Sequence, residues 1–318
     1  MLKASPVRAR SKERLSSSSS PSPWLLMATA AALFSVMNFV AHRSSASTHW
    51  TWVAATRAVV GAIVGIGVAR VRGRPAFVRP SPIMWLRSVL GTVAMGCTFF
   101  ALGRRELPLG DATTLLNLTP LILALLAPLV LRERSGRGVW GPLALSAAGV
   151  LLIVRPSFLF GGADSIPTAA AIPAMVALVG STFSAFAMMS LRRASKGDVA
   201  EAIVVHFSLF GAVTLGGAAL VLNAPPPPPA QLPWLLVAGA CGGLAQVAMT
   251  TAYARAPAAR LSGVGYLAVP FSAVLGAIAL GEVPTRWTVV GMVLVVAGGL
   301  LLARAGAAPA DSARPETK

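Results

Sequence analysis

The sequence predicts an all-α polytopic membrane protein, with ten transmembrane helices arranged as two inverted five-helix repeats. Three observations carry this expectation. The chain has 318 residues, 55% of them hydrophobic and only 12% charged, and its mean hydropathy is +0.73. A soluble domain is usually about one quarter charged, so this chain has too little polar residue to coat a globule in water. Ten apolar runs follow one another, each near the roughly 20 residues that cross a bilayer as a helix. Landmarks of the first half then return about 150 residues later, Phe34-Ser35 falling on Phe183-Ser184 and Pro120 on Pro270.

The elements follow in order. Residues 1–23 are basic and serine-rich and read as a disordered cytoplasmic tail. The first helix is expected at 24–41 and the second at 50–69. The stretch "RVRGRPAFVRPSP" punctuates the chain before a third helix at 83–103. A fourth, at 109–131, ends in "RERSGRG", and a fifth covers 138–154. An external linker is expected at 156–171. The sixth helix, at 172–191, closes on "RRASKGD", and the seventh covers 201–222. The proline run at 225–229 cannot be helical and reads as a solvated loop. Helices at 232–254, 260–281 and 286–303 complete the set, and 305–318 is a second cytoplasmic tail. Cys97 and Cys241 lie inside apolar runs and read as small buried residues, not a disulfide framework.

Loop charge gives the orientation. With the N-terminus cytoplasmic, the inside segments hold twenty Lys and Arg, from Lys3 to Lys318, and the outside segments hold five: Arg43, Arg104, Arg105, Arg155 and Arg286. Arg57 and Arg87 fall within spans and complete the 27. Both termini are therefore expected inside, in a plasma (inner) membrane. The net charge of +17 sits in short gaps between apolar runs, with no interleaved nucleic-acid-reading motif, so no nucleic acid partner is expected.

The repeat also settles the first helix. The N-terminal basic tail and apolar run could pass for a secretory signal, but the first span has a partner in the sixth. Further landmarks coincide: Arg43 with Arg192, Arg57 with His206, Glu133 with Glu282, Gly141 with Gly291 and Gly149 with Gly299. Five spans per half is odd, so the second half enters the membrane from the opposite side. Inverted repeats of this kind characterise many secondary transporters, whose solute site lies at the midplane between the halves.

Two stretches carry a resemblance: "ALGRRELPLGDATTLLNLTPLILALLAPLVLRERSGRGVWGPLALSAAGVLLIV" and "AYARAPAARLSGVGYLAVPFSAVLGAIALGEVPTRWTVVGMVLVVAGGLLLA". Each has a short basic loop, a helix with a central Pro and a terminal Glu, and a Gly-rich last helix. The chain resembles the EamA family of the drug/metabolite transporter (DMT) superfamily over about residues 24–304. The resemblance implies repeats at 24–155 and 172–304, and export or import of amino acids, nucleotide-related metabolites, vitamins or drugs, with export favoured. "RSVLGTVAMGCTFFALGRRELPLGDATTL" is similar to the branch that includes riboflavin and S-adenosylmethionine carriers. The chain departs from the pattern at Pro128, which has no partner at Ile278, and at "LRE" against "LGE".

The site candidates come from the interrupted helices. Pro120 and Pro270 each remove a helical hydrogen bond and free the carbonyl four residues earlier, at Leu116 and Tyr266. Such a carbonyl should face protein or a wet cavity, so the two breaks point to a binding site; kinks that only shape packing are the alternative. Thr113, Asn117 and Pro120 share one stripe of the fourth helix. Gly239, Gly243, Gln246, Thr250 and Tyr253 share one of the eighth, and Ser35, Asn38 and His42 one of the first. Small and polar residues also serve as helix contacts. Arg57 lies roughly 10 Å deep at 1.5 Å per residue, where a charge is costly; it either binds an anion or gates, or snorkels outward. His206 holds the matching place and reads as a titrating group or as a buried His bonded to a neighbour. Glu133 and Glu282 end helices against the dipole and each needs a cation. Asp111 starts a helix, where the dipole favours it, and no carboxylate sits at mid-depth. Helices five and ten carry almost no polar side chain and belong at the periphery.

The rival classes are an intramembrane enzyme and a non-transporting scaffold. The histidines His42, His49 and His206 form no HExxH, and neither a paired intramembrane aspartate nor a GxSxG elbow occurs. No catalytic residue, cofactor or metal is expected. The expected partners are a small-molecule solute, the lipid bilayer and a second copy in a homodimer.

Overall fold

The computed structural model describes residues 21–45, 47–104, 106–107, 115–131, 137–154, 170–280 and 286–307. Among them every regular element is a helix and none is a strand. The helices are α1 (Pro23–Ser44), α2 (Trp50–Val71), α3 (Pro82–Leu102), α4 (Thr119–Leu131), α5 (Trp140–Val154), α6 (Ala171–Ala194), α7 (Ala200–Val221), α8 (Leu232–Arg255), α9 (Ala258–Gly265), α10 (Ala268–Leu280) and α11 (Arg286–Ala307). Seven stretches among the described residues are long and apolar enough to cross a membrane, the last of them running from α9 into α10. Two shorter apolar helices, Trp140–Ile153 and Arg286–Leu301, accompany them. The protein is a multi-pass membrane protein. Both terminal tails, most of the linker expected at 156–171, Thr113, Asp111, Glu133 and Glu282 lie outside the described residues in whole or in large part.

Local sequence explains the helix ends. Ser22 and Ser81 accept hydrogen bonds from the amides of Leu25 and Met84, each at 3.2 Å, and Pro23 and Pro82 follow at the first helical position. There a proline costs nothing, because its missing N–H would be unpaired anyway. α2 and α7 end alike. Arg74 donates to the carbonyl of Ala69 at 2.8 Å and Gly73 to Arg70 at 3.1 Å; Ala224 donates to Ala219 at 2.9 Å and Asn223 to Leu220 at 3.0 Å. The residue at the turn has positive φ in both, +61° at Gly73 and 49° at Asn223. Gly and Asn are the residues that reach this conformation most readily.

Packing shows a paired pattern. α3 packs on α6 and α8 on α1; α2 packs on α7, and α5 on α11; α4 leans on α6, and α10 on α1. Glycines set the directions. A Cβ at Gly61 would come within 3.2 Å of Ser208, one at Gly65 within 3.0 Å of Val205, and one at Gly211 within 3.6 Å of Ala58. The contacts run in opposite order along α2 and α7, so these helices are antiparallel. α5 and α11 are antiparallel too, with Gly149 against Gly291 and Ser146 against Gly298. Outward-facing positions such as Ile63, Leu129, Val213 and Ile278 are apolar and exposed, while Thr51, Ser88, Thr92 and Gln246 are buried. That inversion of the water-soluble pattern suits a lipid surround. Cys97 and Cys241 are free thiols and half-buried, not fully buried as expected.

One end of the bundle gathers Arg72–Glu201 at 2.8 Å, Ser81 donating to Asp198 at 2.7 Å, and Arg255 donating to the Pro21 carbonyl at 3.0 Å. The other end gathers Trp52 donating to the Ala224 carbonyl at 3.0 Å, the Trp50–Phe100 pair, and Arg43 over Trp234. The chain alternates between these ends from α1 to α3 and from α6 to α8.

Candidate functional site

A cavity of about 270 Å³ is walled by residues of α1–α4 and α6–α9. α5, α10 and α11 contribute none of its wall. The two broken helices meet beside it. Thr119 and Pro120 open α4, and Asn117 sits in the turn just before. Ala268, Val269 and Pro270 open α10 after a turn at Tyr266–Leu267. Each proline thus starts a new helix, where it removes no needed donor. The carbonyls expected to be freed are paired locally: Leu116 accepts from the Thr119 hydroxyl at 3.0 Å and Tyr266 from the Val269 amide at 3.0 Å. Ser262 of α9 donates to the Pro120 carbonyl at 3.3 Å and links the two breaks.

Of the residues singled out from sequence, Arg57, Asn117, Pro120 and Gln246 line the cavity, together with Tyr253 of the eighth-helix stripe. Thr113 lies outside the described residues, and the structure places the others elsewhere. Ser35 is buried, its hydroxyl within reach of the carbonyls of Ala31 at 2.8 Å and Ala268 at 2.7 Å, so it ties α1 to the start of α10. Asn38 is half-buried and off the cavity wall. Thr250 is fully buried in α8. Tyr266 is packed among Ala127, Leu143, Val150, Val269 and Val295, and Pro270 is buried beside it. His206 pairs with the Ser88 hydroxyl at 2.8 Å and meets the Trp85 ring edge-on at 4.5 Å, on the wall of a separate apolar depression. The eighth-helix stripe therefore splits. Gly239 and Gly243 press against Val60 and Gly61 of α2 as a helix seam, while Gln246 and Tyr253 face the cavity.

The residue that sequence reading missed is Arg87. It lies within a span, but only six residues into α3, where a long side chain reads as reaching for the surface. Instead it is 1% exposed and lines the cavity. Its guanidinium rests 4.2 Å over the Phe207 ring and runs along α3 against Gly91. Its Nε and Nη1 have no hydrogen-bond partner among the described residues. Arg57 is 8% exposed and donates to two thioethers, Met37 Sδ at 3.0 Å and Met95 Sδ at 2.8 Å. Ser184, the repeat partner of Ser35, also faces the cavity. Met27, Met37, Met95, Met188 and Met249 line it as well, five of the ten methionines in the chain. Such walls re-pack around ligands of different outline.

Known proteins resemble this chain. The EamA-like transporter family matches residues 22–155 and again residues 171–304. The chain belongs to the EamA-like transporter family. It is 29% identical over 282 residues to the pseudopaline exporter of Pseudomonas aeruginosa, covering 88% of this chain and 95% of that one. It is 26% identical over 278 residues to a riboflavin transporter of Vibrio cholerae, covering 86% and 89%. A chain of known crystal structure superposes with a TM-score of 0.77 at 20% identity, covering 89% of this chain and 99% of its own, a likeness of fold. This EamA protein is a membrane transporter with a small-molecule substrate and a lipid surround.

Proposed function

We propose that the protein is a secondary transporter that moves a small metabolite or drug-like solute by alternating access, its two halves rocking about the cavity as inverted repeats of five helices each. The observation that carries this is the cavity itself. Its wall draws on the first four helices and on α6–α9, so neither half encloses it alone. The antiparallel pairing of α2 with α7 and of α5 with α11 supports the inversion, as do the matched turns at Gly73 and Asn223. Apolar walls with a few polar groups suit a small organic solute. The cytoplasmic placement of both termini, in a plasma (inner) membrane, rests on the loop charge bias. The relative named as an exporter supports export as the direction. We place Arg57, Asn117, Pro120 and Gln246 in the binding wall, and Ser35, Tyr266 and Pro270 in the frame that holds the breaks.

The test is flux. Purified full-length protein in liposomes preloaded with a defined mixture of amino acids, vitamins, carboxylates and polyamines should release at least one solute faster than protein-free vesicles. The same solute, added outside in labelled form, should then show counterflow. No release of any class at verified insertion would favour a scaffold or an intramembrane enzyme instead.

A further inference from the structure

We propose that the solute is an organic anion carrying carboxylate groups, held between Arg87 and Arg57; the inference deepens the transport reading and rests on it for the fate of the bound anion. Both guanidinium groups are more than nine-tenths buried. Among the described residues no Asp or Glu is on the cavity wall. Among the described residues the single ion pair joins Arg72 to Glu201, at the end of the bundle. Among the described residues Arg57 donates to sulfur, a weak acceptor, and Arg87 leaves Nε and Nη1 without an acceptor. A guanidinium out of water with no counter-charge is strongly unfavourable unless something supplies one.

The two groups are arranged as a pair. Arg87 Nη1 lies against Gly91 and Arg57 Nη1 against Met95, on one face of α3. Those positions are one helical turn apart, about 6 Å at 1.5 Å per residue. Glycines make the room. A Cβ at Gly91 would strike Arg87 Nη1, and one at Gly242 would lie 3.1 Å from Arg57 Nε. Such an arrangement is built to hold two cations side by side. The guanidinium fork matches a carboxylate with two parallel hydrogen bonds, and the Nε and Nη1 of Arg87, unpaired among the described residues, each belong to such a fork, shared with Nη2. The remaining wall, with Phe34, Phe99 and Phe207 beside Asn117 and Gln246, suits the carbon body of an organic acid more than a bare inorganic ion.

The experiment is a thermal-unfolding and binding titration of the full chain in detergent. Potassium succinate and potassium citrate are compared with neutral succinamide, potassium phosphate and putrescine, each against potassium chloride at equal ionic strength. Ligands that bind only the folded state raise its midpoint. Succinate or citrate should raise it saturably, and succinamide, putrescine and phosphate should not. Arg87→Met should fold without ligand at least as well as the wild type and bind the carboxylate more than tenfold more weakly. Arg57→Met should lose affinity likewise, and Arg87→Lys, without the fork, should recover only part of it. If Arg87→Met does not fold, Gly91→Ala, which displaces the guanidinium and keeps the charge, must lose the response. Carboxylates no better than succinamide or chloride overturn the proposal, as does phosphate binding equally well, or a wild-type response in Gly91→Ala and Arg57→Met. Carboxylate binding with no flux of any solute in liposomes sinks the transport reading and leaves the anion site standing. Flux of neutral solutes with no carboxylate binding does the reverse.

Discussion

Gln246 and His206 are both polar residues on membrane-spanning helices, and the structure gives them different work. Gln246 is 4% exposed and faces the cavity. His206 spends its ring nitrogen on Ser88, away from it. Gln246→Leu should keep the unfolding midpoint within a few degrees and lower solute flux about tenfold, the usual scale for losing one hydrogen bond to a ligand. His206→Phe should do the opposite. It leaves the buried Ser88 hydroxyl without its partner, which costs about 1–2 kcal/mol of stability, and leaves flux unchanged at equal membrane abundance. A His206→Phe protein with wild-type stability and failed transport would place the site on the wrong side of α7. At this scale the sequence was half legible. Arg57, Asn117 and Gln246 stand out because polar groups are rare in apolar runs, and they do reach the cavity. Thr250 and Tyr266 stand out for the same reason and do not, because polar groups in lipid also pack between helices. Arg87 was hidden because the direction of a long side chain depends on Gly91, a neighbour one turn away whose absent side chain leaves the space.

At the scale of elements, the breaks and the glycine seams carry separate predictions. Pro120 and Pro270 start α4 and α10, so Ala at either site adds a donor that lets the helix run back through the turn. In α10 the new amide would compete for the Tyr266 carbonyl, which Val269 now holds at 3.0 Å. Each Pro→Ala protein should insert and fold normally, since Ala is the better helix former, yet show reduced flux. Pro120→Ala should be the more severe, because Asn117 lies in the turn it erases. Wild-type flux in both variants would mark the turns as packing features. The seam prediction concerns α5 and α11. A Cβ at Gly149 would lie 2.6 Å from the Gly291 carbonyl, whereas one at Gly67 meets nothing within 4 Å. Gly149→Val should cost about 2 kcal/mol or more by overpacking, read as a lowered unfolding midpoint, while Gly67→Ala should be neutral or raise it. The existence and order of the long helices were plain in the sequence, since lipid demands apolar runs of fixed length. The division of the ninth run into α9 and α10 was not, because a turn at Tyr266–Leu267 is as apolar as the helix on either side.

For the whole molecule, the proposed inversion rests in the sequence on landmarks such as Pro120 and Pro270, and in the structure each of these prolines lies at the start of a helix that follows a break. The cavity was not legible in the sequence, because its wall is assembled from eight helices, and which faces converge is set by packing at positions such as Gly61, Gly243 and Gly291. Topology has its own test. A cysteine placed at Pro227 should react with an impermeant thiol reagent added outside intact cells, and one at Lys196 should not; the reverse pattern would invert the orientation. The central claim is that one cavity opens by turns to each side. The most direct measurement places a single cysteine at Thr98, on the cavity wall, in a background with Cys97 and Cys241 replaced by Ala. In inside-out and right-side-out vesicles alike, the impermeant reagent should label Thr98→Cys, and the transported solute should slow labelling from both sides. Labelling from one side only, unchanged by solute, would contradict alternating access.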